Sequence, residues 1–171
     1  MIHVVHDLLE LSAPDAEVTL IELDALPQPQ RRLLDHGRDM TGTLEEFLAQ
    51  RLTLRALHVR REGDSLYRRV LLLGGAEPAA YGAVRIDLAA LPPAVRPAVE
   101  ACEQPLGGLL SRAGIELSSE ARGFLRTDAA AARDALGCDG PLFGRLARLS
   151  DEGGRTLADV VEILPTFEDR E

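Results

Sequence analysis

The sequence lacks tryptophan and has only two cysteines, and aromatic residues make up 4% of the chain. Cys102 and Cys138 do not have the spacing of a zinc site or of a disulfide framework, and the four histidines do not cluster with them. No apolar run approaches the roughly 20 residues that cross a bilayer, and the N-terminus lacks the basic region of a signal peptide. These absences predict a cytoplasmic protein with no metal and no membrane partner.

Positive charge is scarce, because 19 Arg residues, with no Lys, stand against 28 Asp and Glu residues and the net charge is −9. A nucleic-acid-binding surface needs a basic stripe, so no nucleic-acid partner is expected. An anionic small molecule remains compatible with this charge if arginine is concentrated locally. The 171 residues, 46% of them hydrophobic, predict one domain over 1–171, with a weakly patterned segment at 1–30 and a frayed tail at 166–171.

The strongest strand signal runs through Tyr67–Leu73 and ends at a Gly-Gly pair. With a period of two, Arg68 shares one face with apolar neighbours and Arg69 shares the other, so either face contains an arginine. A guanidinium is costly to bury without an acceptor. This arginine therefore either lies at a solvated strand end or is available to an anion.

Flanking patterns predict an antiparallel meander followed by helices and a hairpin. Helical structure is expected over 31–50 with a break near Gly37, and Asp39, Thr41 and Thr43 are candidate N-caps. A glycine at position 82 indicates a bulge or the close approach of another group. The predicted elements are a short helix within 4–11, a strand or buried turn at 18–21, strands at 51–60, 66–73, 79–88, 121–127, 142–150 and 156–164, and helices at 92–103, from 106 onward and at 129–136, the last capped by Asp128 and closed by Gly137.

The last strand carries one carboxylate on each of two otherwise apolar faces, Asp159 on one and Glu162 on the other. Burial raises the pKa of a carboxyl group unless an arginine lies close and lowers it, and catalytic acids and bases are tuned in this way. The alternative is that one carboxylate faces solvent and the other pairs with a sheet arginine.

Five short motifs resemble, in order, those of the chorismate–pyruvate lyase (4-hydroxybenzoate synthase) family over roughly residues 36–165. They are Met40-Thr41-x-x-Leu44-Glu45, Arg68-Arg69-Val70-Leu71-Leu72 with Glu77-Pro78 after it, Pro105-Leu106-Gly107, Gly144-Arg145, and Val161-Glu162-Ile163-Leu164-Pro165. The resemblance implies a chorismate lyase-like α+β fold, with a single antiparallel sheet of about six strands and helices packed over an enclosed ligand cavity.

The resemblance also implies an activity, the elimination of pyruvate from chorismate to give 4-hydroxybenzoate by a carbon–oxygen lyase that needs no cofactor. Arg68 would clamp a substrate carboxylate and take part in catalysis, together with Glu162 beside the reacting ring. The backbone of Leu106 and Gly107 would hold the substrate, and Met40 would line the cavity under a mobile helical flap. A monomer or a homodimer is expected.

Departures from the family pattern leave alternatives open. Ala83 follows the glycine of the third strand where the family often has arginine, with Arg85 two residues further on, and Gly108 replaces another family arginine. Thr41, Arg145, Arg85 and Asp159 are therefore further candidate site residues, with Asp159 a rival of Glu162. The alternative function is the binding or conversion of another small aromatic or carboxylate ligand. A ligand-sensing regulator domain is disfavoured because the chain is acidic and the segment before Met40 is short and not basic.

Overall fold

The structure is a computed structural model that describes residues 1–9 and 18–167. This part of the chain contains six helices and seven strands. The strands are β1 Val18–Ile21, β2 Thr53–Glu62, β3 Ser65–Gly74, β4 Glu77–Asp87, β5 Ser118–Thr127, β6 Leu142–Ser150 and β7 Thr156–Leu164. The helices are α1 Ile2–Leu9, α2 Gln30–Leu34, α3 Met40–Leu48, α4 Arg96–Ala101, α5 Leu106–Arg112 and α6 Ala130–Leu136, with 3₁₀ turns at Leu23–Ala25 and Leu88–Ala90.

All seven strands form one open antiparallel sheet in the order β1-β5-β6-β7-β4-β3-β2. The predicted α+β fold with a single antiparallel sheet is therefore confirmed. The sheet has one strand more than expected because Val18–Ile21 pairs with β5 as an edge strand. The predicted meander is β2-β3-β4, and the predicted C-terminal hairpin is β6-β7.

Helices cover both faces of the sheet. On one face, α1 and α6 pack on alternate residues of the central strands, such as Leu71, Ala83 and Val161. On the other face, α2 to α5 pack on the intervening residues in two separate core clusters. One cluster contains Leu66, Val84 and Val160 with residues of α4 and α5, and the other contains Leu72, Ala80 and Leu164 with residues of α2 and α3.

The capping residues agree with the prediction at some helix ends and differ at others. Asp39 is the N-cap of α3 and its Oδ2 accepts a hydrogen bond from the Gly42 amide at 2.8 Å, while Thr43 lies inside the helix rather than at its start. Asp128 does not cap α6; Thr127 Oγ1 accepts from the Ala129 amide at 3.0 Å instead. Gly137 closes α6 in the left-handed conformation, as predicted, with φ of 64°.

The helix predicted over 92–103 is shorter in the structure and begins at Arg96. Pro97 occupies its first turn, where the missing N–H is not needed. Across residues 1–9 and 18–167, no helix is both long and apolar enough to cross a membrane. The same residues contain no group of three or more His, Cys, Asp or Glu side chains that could hold a metal ion.

Near the C-terminus, the Phe167 ring packs edge-on against Phe47 with ring centroids 5.4 Å apart. This contact joins Phe167, which lies in the segment predicted to fray, to a residue of α3. Residues 168–171 lie outside the described residues, as do 10 and 11 of the helix predicted within 4–11.

Candidate functional site

A cavity lies between the two core clusters on the face covered by α2 to α5. Its floor comes from β3, β4 and β7, and its roof comes from the first residues of α3 and α5. Counted as the space open to the centre of a water molecule, its volume is about 70 Å³. Since one water needs about 10–15 Å³ on this measure, the cavity has room for several waters or a compact organic molecule. The lining residues are Asp39, Met40, Thr41, Leu54, Arg68, Val70, Leu72, Ala80, Tyr81, Gly82, Val84, Pro105, Leu106, Gly107, Leu149, Val160 and Glu162.

Arg68 brings a positive charge to the floor of this cavity. The residue is only 3% exposed, and its Nε has no hydrogen-bond partner in the described part of the chain. Burial lowers the pKa of Arg68, and the Cys102 thiol, which interacts with the guanidinium, offsets only part of this effect. A buried cation without a carboxylate partner destabilises the folded protein. Arg68 is therefore positioned to accept an anion from outside the chain.

Arg145 on β6 is also buried, at 0% exposure. Unlike Arg68, it has a hydrogen-bond acceptor for every donor of its guanidinium. All five N–H groups of a guanidinium can donate, and Arg145 makes five hydrogen bonds. The acceptors are Glu162 Oε2 at 2.7 Å, the carbonyl oxygens of Leu34 at 3.1 Å, His36 at 2.8 Å and Arg38 at 3.4 Å, and Ser119 Oγ at 3.2 Å. Arg145 therefore holds the segment between α2 and α3 on the sheet and has no donor left for a ligand.

Glu162 connects this network to the cavity. Its side chain is 13% exposed, and one oxygen is bound by Arg145 while the residue itself lines the cavity. Burial raises the pKa of Glu162, the pairing with Arg145 opposes this rise, and the nearby negative charge of Asp39 adds to it. The carboxyl group is thus more easily protonated than an exposed glutamate, even though it belongs to an ion pair.

The roof of the cavity closes where the starts of α3 and α5 meet. A Cβ atom added at Gly107 would lie 3.0 Å from the Cβ of Asp39. Glycine at position 107 therefore allows the capping residue of α3 to rest directly on the first turn of α5. Asp39 is held at the cavity by this packing together with its bond to the Gly42 amide.

The structure brings most of the sequence-predicted site residues together. Met40, Thr41, Arg68, Leu106, Gly107 and Glu162 all line the cavity. Arg145 lies behind Glu162 and does not line it. The cavity wall also includes Gly82, where an added Cβ would lie 3.2 Å from Val70 Cγ2. Of the two predictions for this glycine, the structure has the close approach of another group. The bulge is not at Gly82, because the register shift between β3 and β4 lies at Leu72 and Leu73.

Arg85 and Asp159 lie away from the cavity. Asp159 Oδ2 accepts from Arg85 Nη2 at 2.7 Å, and Asp159 Oδ1 accepts from Arg148 Nε at 3.0 Å. Both carboxylates therefore pair with sheet arginines, but only Glu162 lines the cavity. Two site residues were missed by sequence reasoning, Asp39 and Cys102. Asp39 was noticed only as a candidate N-cap, and no sequence signal places Cys102 beside Arg68.

Comparisons with solved structures show that the fold is shared with domains of transcriptional regulators. The effector domain of PhnF from Mycobacterium smegmatis matches with a TM-score of 0.58 at 12% identity, over 78% of this chain and 94% of that domain. A protein described as a regulator from Escherichia coli CFT073 matches at 0.54 and 15%, over 68% and 98%. A ligand-binding domain assigned to a GntR-family transcriptional regulator from Bordetella bronchiseptica matches at 0.51 and 15%, over 70% and 92%. No protein-family model and no curated protein sequence matches the chain.

The prediction of a chorismate–pyruvate lyase, and with it that of an enzyme, is wrong. The three structures named above are an effector domain, a ligand-binding domain of a regulator and a protein described as a regulator, and the sequence argument had disfavoured a regulator domain. An acidic surface counts against binding DNA, but it does not count against a domain that binds a small molecule. The charges of the cavity also do not match chorismate. Chorismate carries two carboxylates, but Arg68 is the one cavity-lining cation among the described residues. The catalytic roles of Arg68 and Glu162 were implied by the lyase reaction and are dropped with it. Their roles in ligand binding do not depend on that reaction.

Proposed function

We propose that the chain is a ligand-sensing domain and that its cavity binds a small organic anion at Arg68. The observation that carries the proposal is the buried guanidinium of Arg68, which lines the cavity and has no carboxylate partner in the described part of the chain. An anionic group of the ligand would complete the missing pair. Charge-assisted bonds of this kind are about twice as strong as neutral ones.

The remaining walls suit the carbon skeleton of such a ligand. Val70, Leu72, Val84 and Val160 present aliphatic groups from the sheet. Met40 adds a flexible thioether from the roof, which can adapt to the shape of a ligand. An apolar pocket with few polar groups is the usual form of a small-molecule site. The fold shared with regulator effector domains supports sensing rather than turnover.

The proposal is tested by titrating ¹⁵N-labelled protein with a panel of small carboxylates and following amide shifts. We expect binding that shifts residues around the cavity, is lost in Arg68→Met and is retained in Arg55→Met, a matched change on the exposed strand β2. The ligand should also be recovered unchanged after prolonged incubation. Equal binding by wild type and Arg68→Met would contradict the role of Arg68, and conversion of the ligand would contradict sensing.

A further inference from the structure

Two acidic side chains line the same cavity as Arg68, and each has one oxygen left unbonded. Glu162 Oε2 accepts from Arg145, and Asp39 Oδ2 accepts from the Gly42 amide. In residues 1–9 and 18–167, no donor is bound to Glu162 Oε1 or to Asp39 Oδ1. The cavity therefore offers two acceptor oxygens and one unpaired cationic donor, and this mixture does not suit a purely anionic ligand.

The strand register places Arg68 and Glu162 at separate positions on the cavity floor. Arg68 lies opposite Val84 on β4, and Val84 lies opposite Val160 on β7. Glu162 is two residues beyond Val160 on the same face. With strands about 4.8 Å apart and a rise of about 3.4 Å per residue, the Cα atoms of Arg68 and Glu162 are about 12 Å apart. Both side chains extend into the cavity, so a short molecule can contact both.

The part of the cavity beside Glu162 and Asp39 favours a positively charged group. A second anionic group placed there would meet Glu162 and Asp39, where burial and, to a smaller extent, the negative charge of Asp39 already raise the pKa of Glu162. An ammonium or guanidinium group has only donors and would supply what both free oxygens lack. Arg145 cannot donate to these two free oxygens, because its five hydrogen bonds already use all of its donors.

We propose that the ligand is a small zwitterion, with its acidic group on Arg68 and a basic nitrogen between Asp39 and Glu162. This inference rests on the proposed function, since it assumes that Arg68 binds the anionic group. Its chemical class is the amino or guanidino carboxylate of about four to eight carbon atoms. Such a chain length fits the separation of the charged ends and the modest volume of the cavity.

The test uses two matched sets of probes that differ only in the distal group. One set is butanoate, 4-aminobutanoate and glutarate; the other is benzoate, 3-(aminomethyl)benzoate and isophthalate. Dissociation constants are measured at neutral pH by ¹⁵N–¹H titration of wild type, Arg68→Met and the double variant Asp39→Asn/Glu162→Gln. Asparagine still caps a helix and glutamine still accepts from Arg145, so the double variant keeps its local bonds. Glu120→Gln, on an exposed position of β5, is the matched control.

In at least one set, we expect the amino compound to bind wild type about tenfold more tightly than its plain anion, as one charge-assisted contact predicts. The dicarboxylate should bind more weakly than the amino compound. The advantage of the amino group should disappear in the double variant, persist in Glu120→Gln and also persist in Asp39→Asn at a reduced level. The single variant provides the readout if the double variant does not fold.

Two other results would overturn the inference in distinguishable ways. If plain anions or dicarboxylates bind as tightly as the amino compounds, and Arg68→Met abolishes that binding, the ligand is an anion and the proposed function stands alone. If no probe binds, or if binding is the same in Arg68→Met, both proposals are wrong.

Discussion

The Nε atom of Arg145 donates to Oε2 of Glu162 across 2.7 Å, between two residues that lie directly opposite each other on β6 and β7. The two buried arginines of the cavity region, Arg145 and Arg68, therefore have different roles. Arg145 is saturated with acceptors and stabilises the fold, whereas Arg68 is buried without a carboxylate and weakens it. Mutations of the two arginines should therefore have opposite effects on stability.

Replacing Arg145 should strongly destabilise the protein. Arg145→Met leaves Glu162 buried without its partner and frees the carbonyl groups that hold the segment between α2 and α3. We expect the free energy of unfolding to fall by about 3–5 kcal/mol, as for other broken buried pairs. Urea denaturation measures this change. Arg122→Met removes an exposed pair with Glu120 and should stay within about 0.5 kcal/mol. A loss below about 1 kcal/mol in Arg145→Met would contradict the structural role.

Replacing Arg68 should stabilise the empty protein. Methionine fills similar space and removes an uncompensated buried charge, so Arg68→Met should raise the free energy of unfolding by about 1 kcal/mol. For a chain of this size, that corresponds to a rise in melting temperature of about 2–4 °C. Differential scanning calorimetry without ligand measures the shift, with Arg55→Met as the surface control. A fall in melting temperature would show that Arg68 has a stabilising partner.

The pH dependence of stability should carry a signature of Glu162. Its pKa is raised in the folded protein, so the native state binds more protons than the unfolded state at mildly acidic pH. Stability from this group is fully present below the unfolded pKa and is lost as pH rises through the higher folded pKa. The difference in unfolding free energy between wild type and Glu162→Gln should therefore shift against wild type as pH rises across that interval. A difference that changes in the other direction would mean that Arg145 dominates over burial.

Gly144 should not tolerate a side chain. A Cβ atom at this position would collide with the carbonyl oxygen of Glu162 and lie 3.1 Å from Ile163 Cγ1. We expect Gly144→Ala to cost about 2–3 kcal/mol, because the backbone of β7 must move. Gly140→Ala is the matched control, since nothing lies within 4 Å of its added Cβ and its φ is not positive. Thermal denaturation compares the two, and equal melting temperatures would contradict the close approach.

Much of the fold was predictable because its signals are local. The strands of the C-terminal hairpin begin and end where the alternation and the turn at 151–154 place them. The period of two also predicted that Arg68, Val70 and Leu72 lie on one face of β3. The sequence could not predict which face of β3 borders the cavity, because α1 and α6 bury the opposite face equally well.

The site was only partly predictable because its contacts join distant parts of the chain. Asp39 and Gly107 meet at the roof, 68 positions apart in sequence (107 − 39), and no local pattern encodes that contact. The pairing of Arg145 with Glu162 depends on a hairpin register that shifts near Ser150. Motif resemblance located the cavity residues, but it supplied the wrong chemistry, because function depends on the unpaired charges of a site more than on its fold.

The buried charge of Arg68 has a consequence for protein turnover. A ligand that pairs with it adds RT ln(1 + [L]/Kd) to the free energy of unfolding, which lowers the population of unfolded chains. Cellular proteases degrade chains mainly from such unfolded states. If the proposed ligand binds at Arg68, the half-life of the protein should lengthen when that ligand is abundant, and the amount of protein would then follow the supply of the ligand.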